Sequence, residues 1–225
     1  MKKIESKAKA KLPRKIVVVD DHPIVRHGIV QLLNFEKDFT VCGEAENAVV
    51  ALEIIEKTKP DAVTVDITLQ EGMNGVELIK HIHKRDPRLP ILVLSMHEEQ
   101  FYAERALRAG AKGYLMKQEA SEKMVLALRK ILKGEIYLSE PMSLNLLSEM
   151  LEGKSAGKKP AIHSLTDREL EIFNQIGRGF SAKKIASELN LSVKTVEAHR
   201  ENIKAKLKLG TSSALMAYAI KWIQK

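Results

Sequence analysis

The chain predicts an α/β fold, a five-stranded doubly wound parallel sheet, followed by a small all-α module of four helices. Three observations carry this expectation. Short apolar runs rich in β-branched residues at 16–21 (IVVVDD), 62–66 (AVTVD), 91–95 (ILVLS) and 113–117 (GYLMK) alternate with segments of helical period, the pattern of buried parallel strands joined by crossover helices. A stretch with a linker's composition, EGKSAGKKPAIH, runs through 152–163. Beyond it only helical periodicity remains.

Taken in order, the first strand is 16–21, and Ile24, Val25, Ile29, Leu32 and Leu33 fit one face of the helix after it. A short strand near 39–42 follows, and then a helix carrying Val49, Leu52 and Ile55. The strand at 62–66 leads into a helix with Val76, Ile79 and Ile82. The strands at 91–95 and 113–117 are followed by helices over 98–109 and 121–132. Five consecutive βα units argue for a doubly wound sheet ending near Tyr137. A short amphipathic helix is expected over 141–151, then four helices over 167–176, 181–189, 193–207 and 212–223. Thr166 and Glu169 form a capping box that opens the first of these four.

The net charge of +8 divides unevenly along the 225 residues. Residues 1–15 carry seven Lys/Arg and one Glu, residues 16–138 are net −3, residues 139–159 balance, and residues 160–225 are net +5. A basic C-terminal module suggests a polyanionic partner such as nucleic acid, whereas the basic tail reads equally well as a solvated extension. No apolar run has the length of a signal peptide core or a membrane span, so a soluble cytoplasmic protein without membrane contact is expected. Cys42 is the only cysteine, which excludes an intramolecular disulfide and a cysteine-based zinc cluster.

Ligands of open α/β sheets sit just past the carboxyl ends of the strands. There the sequence places Asp20 and Asp21, Asp66, Ser95 and Lys117. Three carboxylates in one crevice repel each other unless a hard cation joins them, and Mg²⁺ bound by one or two carboxylates plus water and phosphate is the usual arrangement. Asp66 then becomes a nucleophile toward a phosphoryl group, while Ser95 and Lys117 can hydrogen-bond and charge-pair with its oxygens. Any one of these acids alone would read as a helix cap or a loop residue. The combination resembles the receiver domain of bacterial two-component response regulators, with Tyr114 three places before Lys117 and Lys117 22 positions after Ser95.

That resemblance implies a flavodoxin-like receiver in which Asp66 is the phosphoacceptor. Asp21, Asp66 and the backbone carbonyl of Thr68 would bind Mg²⁺, with Asp20 acting through water. Ser95 and Tyr114 would form the switch pair, and Lys117 would read the phosphate. Three departures from the family pattern stand out. Gln70 occupies a position that is commonly Pro, Gly75 lies one residue later than usual with Glu71 as the apparent insertion, and Gln118 follows the Lys. An aspartate-nucleophile phosphatase is the rival enzyme reading. Those hydrolases place a second Asp two residues after the first, where this chain has Thr68.

In the C-terminal module, Ile185, Ala186 and Leu189 supply an apolar face before the LNLS turn at 189–192, and Val196, Ile203 and Leu207 supply one after it. This pattern makes a helix-turn-helix. Ser192 would cap the second helix, placing Lys194, Glu197, Ala198 and Glu201 opposite the core, with Thr195, His199 and Arg200 near the edge of that face. A plain helical packing module with a solvated charged face fits the periodicity as well. Three groups of residues resemble the LuxR-type DNA-binding domain: Leu165, Thr166, Arg168, Glu169 and Glu171; then Gly179, Ser181, Lys183, Ile185 and Ala186; then Thr195, Val196, Glu197, His199, Arg200, Asn202, Ile203, Lys206 and Leu207. Ala182 and Lys184 depart from it. Lys183, Lys184, Lys194, Arg200 and Lys204 are candidates for phosphate contacts, and Glu197, Ala198 and Glu201 for base edges. Leu215, Met216, Ala219 and Trp222 on the last helix serve either a dimer surface or the core.

Together the two resemblances are those of the NarL/FixJ response regulators. The expected organisation is a basic tail at 1–14, a receiver at 15–138, a linker with a short helix at 139–163 and a helix-turn-helix domain at 164–225. The family implies phosphorylation on Asp66 by a sensor histidine kinase or a small phosphodonor, controlling sequence-specific binding of double-stranded promoter DNA. It further implies a homodimer when active, RNA polymerase as a further partner, and no enzymatic turnover. The expected switch draws Ser95 inward, lets Tyr114 bury and alters the surface of 98–109, relieving occlusion of the recognition helix or favouring dimerisation. The alternative is a constitutive DNA-binding regulator whose receiver only dimerises.

Overall fold

A computed structural model describes residues 12–69, 73–96, 99–151 and 161–223. Most of the basic tail, Gln70 and Glu71 of the lengthened loop, and 152–160 of the expected linker lie outside the described residues.

Strands β1 (Arg14–Val19), β2 (Phe39–Ala45), β3 (Ala62–Asp66), β4 (Ile91–Ser95) and β5 (Gly113–Met116) alternate with helices α1 (Pro23–Phe35), α2 (Ala48–Thr58), α3 (Gly75–Arg85), α4 (Glu99–Ala109) and α5 (Ala120–Ile131). The strands are all parallel, in the order β2-β1-β3-β4-β5. The order reverses direction at β1, so a crevice opens where the carboxyl ends of β1 and β3 diverge.

Alternation along the strands builds a core on each side of the sheet. Val17, Val19, Val63 and Val65 face α2, α3 and α4, while Ile16, Val18, Leu92 and Leu94 face α1 and α5. Burying each such side chain contributes roughly 1.5–3 kcal/mol, and these strands are buried on both faces, as their apolar runs require.

Two residues depart from the expected helix faces. Ile24 is 89% exposed and Val49 is 66% exposed. Both stand in the first turn of their helix, while Ile29 and Leu33 on α1 and Ala48 and Ala51 on α2 make the inward contacts. Gly75, the first residue of α3, is forced by proximity. A Cβ there would lie 2.1 Å from the Asp66 carbonyl oxygen and 2.6 Å from the Ile67 Cα, so α3 starts against the end of β3 only because position 75 has no side chain.

Helix α6 (Glu140–Leu151) packs along α4, and α7 (Asp167–Gly177), α8 (Ala182–Glu188), α9 (Val193–Leu207) and α10 (Ser212–Ile223) form the C-terminal module. Its core gathers Leu170, Phe173, Ile176, Ile185, Leu189, Val196, Ile203 and Leu207. Leu215 and Ala219 of α10 join that core, whereas Met216 faces out. Between α8 and α9, Asn190 adopts a left-handed conformation with φ 48°, which turns the chain before Ser192 caps α9. No helix among the described residues is long and apolar enough to cross a membrane.

Candidate functional site

Parallel pairing puts the ends of β1, β3, β4 and β5 on one edge of the sheet, and this brings Asp20, Asp66, Ser95 and Lys117 together. Lys117, only 5% exposed at its side chain, holds Nζ 2.6 Å from Asp66 Oδ2 and 2.7 Å from Asp20 Oδ2. The Thr68 amide donates to Asp66 Oδ1 at 2.9 Å, and the His22 amide donates to Asp20 Oδ1 at 2.9 Å. Arg26 donates to the Asp20 carbonyl oxygen at 2.6 Å, tying α1 to the end of β1.

Burial pushes the Asp66 carboxyl up to about 6, with Lys117 opposing and Asp20 reinforcing the shift. Burial also raises the Asp21 carboxyl. Desolvation would lower the Lys117 ammonium, but Asp66 and Asp20 outweigh it and hold the ammonium above its ordinary value. The crevice is thus a carboxylate cluster with one fixed cation, and it carries an uncompensated negative charge.

Asp21 leaves that charge open to a metal. Its side chain is 10% exposed, its Oδ1 lies 2.7 Å from His22 Nδ1, and its Oδ2 has no hydrogen-bond partner. Ligand atoms of Asp20, Asp21, His22 and Asp66 all lie within 4.8 Å of one another. A carboxylate with a free oxygen beside two further acids fits a divalent cation, and Mg²⁺ suits oxygen donors of this kind. Sequence reading overlooked His22, although its place directly after the acidic pair was a usable signal.

Ser95 and Tyr114 are both buried, and their side chains hydrogen-bond to one another. Desolvation raises the phenol well above its ordinary value, so it is a neutral donor. The expected switch lets Tyr114 bury, and the ring is 1% exposed in this structure.

The surface over 98–109 has a definite task. Tyr102 of α4 is buried and accepts a hydrogen bond from Asn174 of α7 at 3.0 Å. Arg105 donates to the carbonyl oxygens of Leu165 at 2.8 Å and Ile162 at 3.3 Å, and pairs with Asp167 at 3.1 Å. Lys80 of α3 reaches the other oxygen of Asp167 at 3.2 Å. A cleft lined by Ile67, Thr68, Asn74, Val76, Tyr102, Asp167 and Glu171 runs from this seam toward the Asp66 loop. Glu171 is buried, which raises its carboxyl, and pairs with Arg168 at 2.7 Å. None of these seam residues was singled out from sequence for this contact, because each looks like an ordinary amphipathic-helix residue.

On α9, Lys194, Glu197, Ala198 and Glu201 are exposed on the side away from Val196, Ile203 and Leu207. The Thr195 amide donates to Ser192 Oγ at 3.0 Å. Arg200 is paired with Glu197 and Lys204 with Glu201, each at 2.9 Å, and both basic side chains are largely buried. His199 is half-buried and desolvation lowers its imidazole. Lys183 is exposed, whereas Lys184 lies over the Phe180 ring at 3.6 Å. Helix α9 therefore presents an open face, and the expected occlusion of this helix by the receiver is not what the structure shows: the receiver grips α7 instead.

Residues 16–129 match the response regulator receiver domain, and residues 163–219 match the bacterial regulatory proteins of the luxR family. The oxygen regulatory protein NreC of Staphylococcus aureus (strain bovine RF122 / ET3-1) is 36% identical over 210 residues, spanning 92% of this chain and 97% of the relative. RcsB from Salmonella enterica serovar Typhimurium, solved bound to promoter rprA in the presence of phosphomimetic BeF3-, is 26% identical with a TM-score of 0.59 over 92% of this chain and 98% of that one. A structure of two RcsB dimers bound to two parallel DNAs is 28% identical, with a TM-score of 0.55 over 92% and 97% of the two chains.

Proposed function

The chain belongs to the NarL/FixJ response regulators, which join a receiver to a LuxR-type DNA-binding domain, and from that membership we propose that phosphoryl transfer to Asp66 controls its binding to promoter DNA. The observation that carries this reading is the Lys117 ammonium bridging Asp66 and Asp20 in a crevice where Asp20, Asp21 and Asp66 bring their carboxylate oxygens together. The domains are taken to span 15–138 and 164–225, joined through 139–163. The phosphoryl group comes from a sensor histidine kinase or a small phosphodonor, in the cytoplasm.

Asp21, Asp66 and the Thr68 carbonyl would hold Mg²⁺, with Asp20 beside them, and the ion would supply charge neutralisation for the incoming phosphoryl oxygens. An Asp66 carboxylate oxygen attacks phosphorus, a new O–P bond forms, and the donor leaves with the electrons of its broken bond to phosphorus. Lys117 follows the new charge from carboxylate to phosphoryl oxygen. Ser95 turns its hydroxyl to a phosphoryl oxygen, which changes what Tyr114 is bonded to and loosens Tyr102 and Arg105 from α7. The receiver takes up one phosphoryl group and does not turn over a substrate. Freed from the seam, two copies pair as a homodimer and present two α9 helices to paired half-sites, with RNA polymerase a downstream partner. Lys183, Lys184, Lys194, Arg200 and Lys204 serve phosphates, and Thr195, Glu197, Ala198, His199 and Glu201 lie at or beside base edges.

A second reading, a constitutive DNA-binding regulator with a receiver used for dimerisation, is favoured by the open face of α9. DNA affinity and oligomeric mass of the native chain and Asp66→Asn, with and without Mg²⁺ and beryllofluoride, separate the two. A response confined to the native chain is expected. Equal binding in every sample would overturn phosphorylation control in favour of the constitutive reading.

A further inference from the structure

The acidic pair sits on the loop between β1 and α1, and the start of α1 gives that loop little support. No side chain caps the helix, and Pro23 in its first turn has no N–H to donate. The support comes from Arg26, in the first turn of α1. Its Nη1 donates to the Asp20 carbonyl oxygen at 2.6 Å, and its Nε lies 3.6 Å from Glu44 Oε2 near the end of β2. The Arg26 side chain is only 17% exposed, so its stem is packed and its guanidinium is held between β1 and β2.

This bond completes the anchoring of Asp20. Its amide donates to the Ala45 carbonyl oxygen at 3.0 Å, its Oδ1 accepts from the His22 amide at 2.9 Å, and its Oδ2 lies 2.7 Å from Lys117 Nζ. Arg26 takes the remaining polar atom, the carbonyl oxygen. A peptide unit is planar, so fixing that oxygen fixes the Asp21 amide with it and narrows the directions open to the Asp21 side chain. The two buried cations divide the work: Lys117 meets the carboxylates of Asp20 and Asp66, while Arg26 meets the main chain that carries the acidic pair.

We propose that Arg26 is a positioning residue for phosphoryl transfer to Asp66: it holds the Asp20–Asp21 peptide so that the acidic pair faces the divalent cation, and Glu44 orients its guanidinium. The proposal rests on the reading of Asp20, Asp21 and Asp66 as the cation site. Groups that orient metal ligands are worth about 10–100-fold in metal affinity. Two nitrogens of one guanidinium serve two partners here. A lysine ammonium offers a single nitrogen, so Arg26→Lys keeps the charge without both contacts.

The test measures Mg²⁺ binding by titration calorimetry for the full-length native chain, Arg26→Lys and Arg26→Ala, and follows phosphorylation by acetyl phosphate as Mg²⁺ is varied. Thermal melts in chelator report stability without the metal, and Arg26→Lys carries the test if Arg26→Ala does not fold. Arg26→Ala should bind Mg²⁺ about tenfold or more weaker than the native chain, with Arg26→Lys between them. The Mg²⁺ concentration for half-maximal phosphorylation should rise by the same factor, while the rate at saturating Mg²⁺ falls by less than about threefold, because Asp66 and Lys117 are untouched. Native Mg²⁺ affinity in the variants, with only the melts changed, would overturn the Arg26 assignment and leave the phosphoacceptor reading standing. A native chain that neither binds Mg²⁺ nor takes up phosphoryl would overturn both.

Discussion

Lys117 shows how much can depend on one side chain. Its ammonium is the counterion of two buried carboxylates, and removing one partner of a buried ion pair costs about 3–5 kcal/mol. Lys117→Met should lower the unfolding midpoint of the metal-free chain by that free energy, and Mg²⁺ should raise the variant's midpoint more than the native one, as calorimetry with and without chelator would show. On the exposed face of α9, Lys194 in the first turn has no carboxylate partner among the described ion pairs. Lys194→Ala should reduce the slope of log affinity against log salt by about 0.9 if it meets one phosphate. Residue types and spacing made Asp20, Asp21, Asp66, Ser95 and Lys117 legible in the sequence. They did not reveal that Arg200 and Lys204 spend their charge on Glu197 and Glu201, because i,i+3 pairing depends on which rotamers the packed helix leaves open.

At the scale of elements, caps fix where the working helices begin. Asn74 accepts from the Glu77 amide at 3.0 Å while Glu77 accepts from the Asn74 amide at 3.2 Å, and this box starts α3 beside the Asp66 loop. Asn74→Ala should cost about 1 kcal/mol, read from the urea midpoint at unchanged slope. The corresponding box on α7 has an added partner. Glu169 accepts from the Thr166 amide at 2.7 Å and from Lys206 Nζ at 2.6 Å. Burial opposes ionisation of Glu169, but Lys206 and the Thr166 amide prevail and hold its carboxyl below the usual 4.5. A carboxyl depressed in the folded state stabilises fully above its unfolded value and loses that contribution as pH falls through the folded one. Stability should therefore decline below about pH 4.5, and Glu169→Gln should flatten that acid limb in a pH series of thermal melts. The α7 box was readable from Thr166 and Glu169. The α3 box was obscured by the lengthened loop before it, which shifts Gly75 one place from its usual spacing.

For the whole molecule, the seam between α4 and α7 links the receiver to the DNA-binding domain. Tyr102 and Arg105 grip α7 on one side, and Tyr114 sits inside the receiver with Ser95 on the other. Since the face of α9 is open, the seam restrains where a reading helix can be placed without covering it. Arg105→Ala removes two carbonyl hydrogen bonds and an ion pair at once. Small-angle scattering should show a larger radius of gyration for this variant without phosphodonor. Its resting DNA affinity should rise by a factor within the 5–150-fold range of ordinary intersite coupling, and its response to beryllofluoride should shrink to match.

The sequence by itself determined the sheet, its five βα units, the helix-turn-helix and the reacting groups at the strand ends, because periodicity and parallel topology force alternate residues inward and strand termini to one edge. Only the tertiary structure decided which partner each of those groups holds. It placed His22 against Asp21, buried Tyr114 on Ser95, and turned α7 toward the receiver while leaving α9 open. The last of these outcomes depends on contacts between residues 60 to 72 positions apart, as between Arg105 and Leu165 or Tyr102 and Asn174. No local pattern encodes such pairs, because each side chain taken alone satisfies its own helix equally well facing water.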